Sequence, residues 1–262
     1  MSCRPKWGIC NMTQDLIPYL LRLGDSAMIQ GQRLCEWCGH APALEEELAL
    51  MNVGLDLVGQ ARNWLDYAAE MSNDGRDADH LVFRRDQRDY RNLLLVEQPN
   101  GDFAVTMLKQ FLYDAWHFQV LEQLSQSLDP RIQGIAAKAL KEVTYHLRRS
   151  GEWIERLGDG TEESHQRMLA AIPQVWRFTV ELVNSDALEQ RLFEAGIIGD
   201  PQTIAAAWQQ QVASTFASAT LPVPAAASPF YLDSRRGIHS EHLGLLLAEM
   251  QFLPRAYPDA TW

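Results

Sequence analysis

The sequence predicts an all-α protein: an up-down four-helix bundle with further helices packed on it. Three observations carry this. Apolar residues recur at three- and four-residue spacing through most of the chain, the period of a helix that buries one face. No stretch alternates apolar and polar residues as a half-buried strand does. Four long helical segments fall into two pairs, each joined by a short turn, with a long connection between the pairs, which is the chain path of a bundle with a crossover. No unit recurs at a fixed period, so an α-solenoid is the weaker alternative.

The first helix is expected over 13–38, where Leu16, Tyr19, Leu20, Leu23, Ala27 and Leu34 form one stripe. Residues 1–11 precede it as a basic leader with Cys3 and Cys10, expected to be disordered or not native, which leaves one helical domain over 12–262. Gly39-His-Ala-Pro42 breaks the first helix, because Pro cannot continue a helix from inside. The second runs over 43–71 on Leu44, Leu48, Met51, Leu55, Val58 and Leu65. Residues 72–100 are the irregular crossover. Asp102 caps a third helix to about Ser127, and Asp129-Pro130 opens a fourth to about Leu157, with Pro suited to the first helical position. Further helices follow over about 161–183, 187–194 and 201–218. A loop rich in Ala, Pro and Ser then leads to a last helix, capped by Ser240 and ending near Phe252.

The chain has 262 residues, 47% of them hydrophobic, and a formal net charge of −11. It can bury a large core, while its charge repels nucleic-acid phosphates and anionic lipid, so neither is an expected partner. No run of about 18 apolar residues exists, and no secretory signal is visible. The expected compartment is the cytoplasm.

Several motifs invite a metal or redox reading. Cys35-Glu-Trp-Cys38-Gly-His40 has Gly39 where haem attachment needs His. It lacks the second ligand pair of a structural zinc site. Two buried thiols at a helix end are expected instead. Glu162-x-x-His165 sits in a first helical turn, where acidic residues complement the helix dipole. His239-Ser-Glu-His242 offers up to three ligands but also opens a helix, and Asp77-x-x-His80 lies in the polar crossover. On the second helix Asn52, Asp56, Gln60 and Asn63 share one side, either facing solvent or forming a polar strip within the bundle or under a partner.

A di-metal carboxylate bundle needs one carboxylate from each of two helices and Glu-x-x-His from each of the other two. Counting from turns centred near 41 and 129, Asp25 and Asp114 are the candidate single carboxylates. At these levels the second helix offers Asp56-x-x-Gly59 or Leu57-x-x-Gln60, and the fourth Glu142-x-x-Tyr145 or Val143-x-x-His146. Each choice lacks at least one ligand. A weak mononuclear site on Asp114, His117 and His146 is the residual alternative.

Leu23-Gly-Asp-Ser26, Glu36-Trp-Cys-Gly-His-Ala-Pro42, Gly54-Leu-Asp-Leu-Val-Gly-Gln-Ala-Arg-Asn63, Asn92-Leu-Leu-Leu-Val-Glu-Gln-Pro-Asn-Gly-Asp-Phe103, Tyr145-His-Leu147 and Glu241-His-Leu-Gly244 together resemble one family. It is the non-catalytic C subunit (PaaC) of multicomponent phenylacetyl-CoA epoxidases, and the resemblance runs from Met12 to Trp262. It implies a ferritin-like fold, no cofactor in this chain, and a structural role beside a homologous A subunit that carries a di-iron site. It also implies a separate reductase subunit, other subunits of the complex, and 1,2-epoxidation of the thioester's aromatic ring with O2 and NADPH. Leu57-x-x-Gln60 and Val143-x-x-His146 then stand where the A subunit has Glu-x-x-His. Asp25, Asp56, Leu57, Gln60, Asp114, Glu142, Val143 and His146 become the vestigial di-iron positions, and Asp25, Asp56, Gln60, Asp114 and His146 are expected to satisfy one another as a polar cluster. Two other functions share such a fold: an active di-iron oxygenase in its own right, and a ferritin-like iron store. Self-association stays open. The 8 Trp and 7 Tyr exceed what a Leu- and Ala-rich bundle core needs. Arg62, Trp64 and Tyr67, with the 92–103 segment, are therefore the expected partner surface.

Overall fold

A computed structural model describes residues 8–225 and 232–260. The bundle consists of α1 (Gly8–Cys35), α2 (Leu44–Ser72), then, after the crossover helices α3 (Ala78–Phe83) and α4 (Leu94–Glu97), α5 (Phe103–Leu124) and α6 (Pro130–Gly158). The later helices are α7 (Glu162–Trp176), α8 (Val180–Val183), α9 (Ala187–Glu194), α10 (Pro201–Ser218) and α11 (Glu241–Ala256). Among the described residues the only strand-like pairing is one bridge, Asp233 to Ile238. The fold is all-α and ferritin-like, a four-helix bundle with additional C-terminal helices. Residues 1–7 of the expected leader lie outside the described residues. Gly8 to Asn11 form the first turn of α1, so the helix begins earlier than Thr13.

The helix starts follow their local chemistry. The Asp102 carboxylate accepts from the Val105 N–H at 3.0 Å, and Asp129 accepts from Arg131 and Ile132 ahead of Pro130. Such caps contribute about 1 kcal/mol each. Ser240 does not cap α11 with its side chain. Its hydroxyl is turned to the Gln98 amide instead.

Helices α1 and α2 cross closely because glycine meets glycine: a Cβ on Gly31 would sit 2.9 Å from the Gly54 carbonyl oxygen. The helix α5 packs against α6, α7, α10 and α4, so almost no side of it reaches water. Phe111 and Tyr113 are buried on it, and so are Lys109, Gln110, Asp114 and His117. A helix enclosed on all sides has no solvent stripe on which to place its polar residues.

The crossover is the most cross-linked part of the described chain. The buried Glu97 carboxylate accepts from the Asn92 amide (2.9 Å), the His239 ring (2.8 Å) and the Ser240 N–H (2.7 Å). The Glu181 carboxylate accepts from the Leu94 and Ser234 N–H groups. The Lys109 ammonium, fully buried, donates to the Gln98 carbonyl at 2.6 Å and to Asn100 Oδ1 at 3.1 Å. Burial pulls its pKa down to about 7. The segment Leu93–Glu97 is buried in its own chain, which corrects its assignment to a partner surface.

Candidate functional site

The site is the polar interior where α2, α5 and α6 meet. Leu57 on α2 and Val143 on α6 are fully buried apolar side chains. Beside them two polar pairs tie α2 to α6. The His146 Nε2 lies 3.0 Å from Asp56 Oδ2, and the Gln60 amide donates to Glu142 Oε2 at 2.8 Å. The strip Asn52, Asp56, Gln60, Asn63 thus runs from solvent into the bundle: Asn52 is exposed and Gln60 is buried. A third pair, Arg149 with Glu46, closes the same seam nearer the start of α2.

Asp114 is fully buried on α5, and the Ser150 hydroxyl donates to its Oδ2 at 2.8 Å. Burial raises its pKa to about 6 against the opposing pull of His146 and Ser150. His117, one turn along, is held neutral by burial, its pKa pushed down to about 3, with His146 acting in the same direction. Its ring lies 5.0 Å from Tyr113. The expected mutual satisfaction of these groups is only partial. Among the described residues, His117 Nδ1, His146 Nδ1, Gln60 Oε1 and both polar ends of Gln30 have no protein partner, while the Gln110 amide lies close enough to Asp114 to favour its charged form.

Asp25 belongs elsewhere. Its carboxylate is clasped by the Arg85 guanidinium from the crossover and accepts from the Arg91 N–H at 2.8 Å. The cause is register. Gly24 packs against Leu65 and Gly31 against Gly54, which sets Ala27 to Gln30, not Asp25, opposite Leu57 to Gln60. The 36–43 connection is not a symmetric turn, so counting from its centre misplaces α1. Gln30 and Gln110 are the interior polar residues that sequence reasoning missed. Their only signal is an amide on an otherwise apolar face.

The other motifs resolve into structural roles. Cys35 is half-buried and Cys38 exposed, both free, which corrects the expectation of two buried thiols. His165 Nδ1 contacts the Gly158 carbonyl at 2.6 Å, at the end of α6. Asp77 caps α3 through the His80 N–H. Both ring nitrogens of His239 face acceptors, Glu97 and the Tyr90 carbonyl at 3.0 Å. That geometry suits the doubly protonated ring. Burial opposes the charge, but Glu97 prevails and raises the pKa.

Trp64 is fully buried in the core. It has no side-chain area left for a partner, which corrects that part of the expected interface. Tyr67 is partly buried and donates to Asp129 Oδ2 at 2.7 Å. The Arg62 side chain is 78% exposed.

A di-iron pair does not fit this donor set. The two positions that would need bridging carboxylates are apolar, and the nearby carboxylates Asp56 and Glu142 are engaged by His146 and Gln60. No group of three His, Cys, Asp or Glu among the described residues is placed to hold a metal ion.

A family model described as phenylacetic acid catabolic protein, PaaA_PaaC, matches residues 3–262. The chain belongs to that family. Within the phenylacetic acid catabolic family it is similar to the C subunit of the 1,2-phenylacetyl-CoA epoxidase of Escherichia coli (strain K12), with 52% identity over 248 residues, 95% of this chain and 99% of the relative. The family resemblance drawn from the motifs is thereby confirmed. No helix among the described residues is long and apolar enough to cross a membrane.

Proposed function

We propose that this chain is the structural, non-catalytic C subunit of a multicomponent phenylacetyl-CoA 1,2-epoxidase in aerobic phenylacetate degradation, where it supports a homologous catalytic di-iron subunit in the cytoplasm. The observation that carries the proposal is the pairing of a whole-chain likeness to an epoxidase C subunit with apolar, fully buried Leu57 and Val143 at the levels of His146 and Gln60. A dinuclear centre needs carboxylates there to offset the cation charge. In this reading iron, the O2 chemistry and the contacts to the reductase belong to the partner subunits, and this chain supplies a stable bundle for the catalytic one to rest on.

The test is reconstitution with phenylacetyl-CoA, NADPH and O2. The expected result is ring epoxidation by the catalytic subunit, reductase and this chain together. With the reductase alone this chain should give none. Turnover by this chain and the reductase without the catalytic subunit would overturn the proposal, and so would undiminished turnover when this chain is omitted.

A further inference from the structure

One face of α2 is built as a helix-packing seam whose leucines are exposed, although Val58 within it packs on the chain's own core beside Gly31 of α1. Leu44, Leu48, Met51, Leu55, Val58 and Arg62 follow one another at steps of four and three residues, the a/d spacing of a coiled-coil stripe. This is the side of α2 away from Leu57 and Trp64. Leu44, Leu48 and Leu55 are 67%, 51% and 62% exposed. Leucines so exposed at heptad spacing on one helix are not scattered surface residues. Their origin is the same register that displaces Asp25. Cys35, the last residue of α1, already packs at Gly54, so the first turns of α2 run past the end of α1.

The occupant follows from shape and charge. A heptad stripe fits another helix, packed at a shallow crossing angle with side chains in register. Near the start of the face Glu45 is an exposed acidic group, while at its far end Asp66 pairs with Arg62 and Glu70 with Arg131. The chain's net charge of −11 opposes docking a second copy on this face. The matching family model covers both PaaA- and PaaC-type chains, so homologous bundles with helices of similar length exist within the family.

We propose that the Leu44–Arg62 face of α2 receives a bundle helix of the homologous catalytic subunit, one whose flank carries Lys or Arg against Glu45. This rests on the functional reading above and assigns its contact surface. It keeps α2 as a partner surface but replaces Trp64 and the 92–103 segment with the leucine seam. The apolar centre alone is smaller than the roughly 1,200 Å² that a stable complex buries, so neighbouring residues must form its rim. Tyr145, exposed on α6 next to the His146–Asp56 pair, with the Arg148 guanidinium 5.7 Å from its ring, is suited to that place.

The experiment measures the dissociation constant of the full chain with the purified homologous catalytic subunit of the same organism, by sedimentation or calorimetry. The wild type is compared with a Leu48→Glu, Leu55→Glu double variant and with Leu245→Glu, which charges the exposed apolar face of α11. The expected result is a loss of affinity on the order of a hundredfold for the double variant, an unchanged unfolding midpoint, and little effect of Leu245→Glu. Wild-type affinity in the double variant overturns the surface assignment while leaving the functional reading intact. Failure of the wild type itself to bind overturns the functional reading as well. Conversion of a wild-type dimer to monomer by the double variant, with the mixed complex unaffected, assigns the seam to a second copy and overturns the proposal.

Discussion

Replacing Asp114 by Asn should stabilise the protein at neutral pH, although the carboxylate is hydrogen-bonded. Asp114 is fully buried, its Oδ2 accepts from Ser150, and the Gln110 amide also favours its charged form. Burial outweighs the attraction of His146 and lifts the pKa to about 6 from an ordinary 3.8. The gap is 6 − 3.8, about 2, so ionising Asp114 inside the fold costs about 3 kcal/mol. Asn keeps the acceptor that Ser150 uses and carries no charge. Burying its amide N–H groups offsets about 1–2 kcal/mol of the gain. The net is about 1–2 kcal/mol, or roughly 2–6 °C in unfolding midpoint for a chain of this size. The sign can be checked against pH. A carboxyl with a raised folded pKa contributes stability that is fully present below 3.8 and lost as pH rises through about 6. The Asn variant should therefore be less stable than wild type by about 1–2 kcal/mol near pH 4, and the difference should change sign as pH rises and reach its plateau above about pH 6.5. Denaturant unfolding of both proteins across that range measures it. A difference that does not change with pH, or an Asn variant less stable at pH 7.5, would refute the reasoning. Asp114→Ala removes the acceptor as well, and should lower thermal stability more than it lowers the turnover of an assembled complex.

Three further outcomes are expected. Metal analysis after aerobic purification with added Fe(II) should find well under two irons per chain, because Leu57 and Val143 offer no bridging carboxylates; a stoichiometric oxo-bridged pair contradicts this. Trp64→Ala should cost about 3–5 kcal/mol in denaturant unfolding, as the loss of a fully buried ring does, and a loss under 1 kcal/mol would restore Trp64 as a surface residue. His239→Phe should cost roughly 3 kcal/mol near pH 6, where its pair with Glu97 is charged. Because the folded His239 pKa is raised, that cost should be full below about 6.5 and shrink as pH climbs through the folded value. A cost that grows with pH contradicts the assignment.

The helix order and most helix ends were legible because Asp, Pro and Gly act locally. Asp102, Asp129 and Asp200 each cap the helix they precede, and the stripe on α6 defines its buried side. The stripe expected on α2 does not: Leu44, Leu48 and Leu55 are exposed, and Leu50, Val53, Leu57 and Trp64 face the core instead. Register was not legible, because the 36–43 connection runs along α2 rather than turning tightly. That single misreading placed Asp25 in the interior, when it pairs with Arg85 from the crossover. Leu57 and Val143 were singled out by the family resemblance, since spacing alone left Asp56 and Glu142 as equal choices at the same levels. Trp64 was misjudged because an aromatic residue on a half-polar helix reads the same whether it faces core or partner. Gln30 and Gln110 were missed because α5 is enclosed on all sides and α1 buries its polar residues too, so polarity stops marking the solvent face.

Side-chain pairs between helices hold the two halves of this bundle together. In a di-metal bundle one charged centre draws carboxylates and imidazoles from four helices to a single point. Here the same levels of α2 and α6 are joined by Asp56 with His146, Gln60 with Glu142 and Glu46 with Arg149. Each is a side-chain pair between two helices, so the strength of the centre is spread along a seam. The crossover completes it from the other side. Arg33 on α1 donates to the Glu97 carbonyl, Lys109 on α5 to the Gln98 carbonyl, and His239 ahead of α11 to the Glu97 carboxylate. These few residues bind both helix pairs and the C-terminal helix. Each buried charge among them is costly if left unpaired, so the links fix one arrangement of the helices. If the face of α2 proposed above does meet a partner, this fixed arrangement is what keeps that face in one orientation.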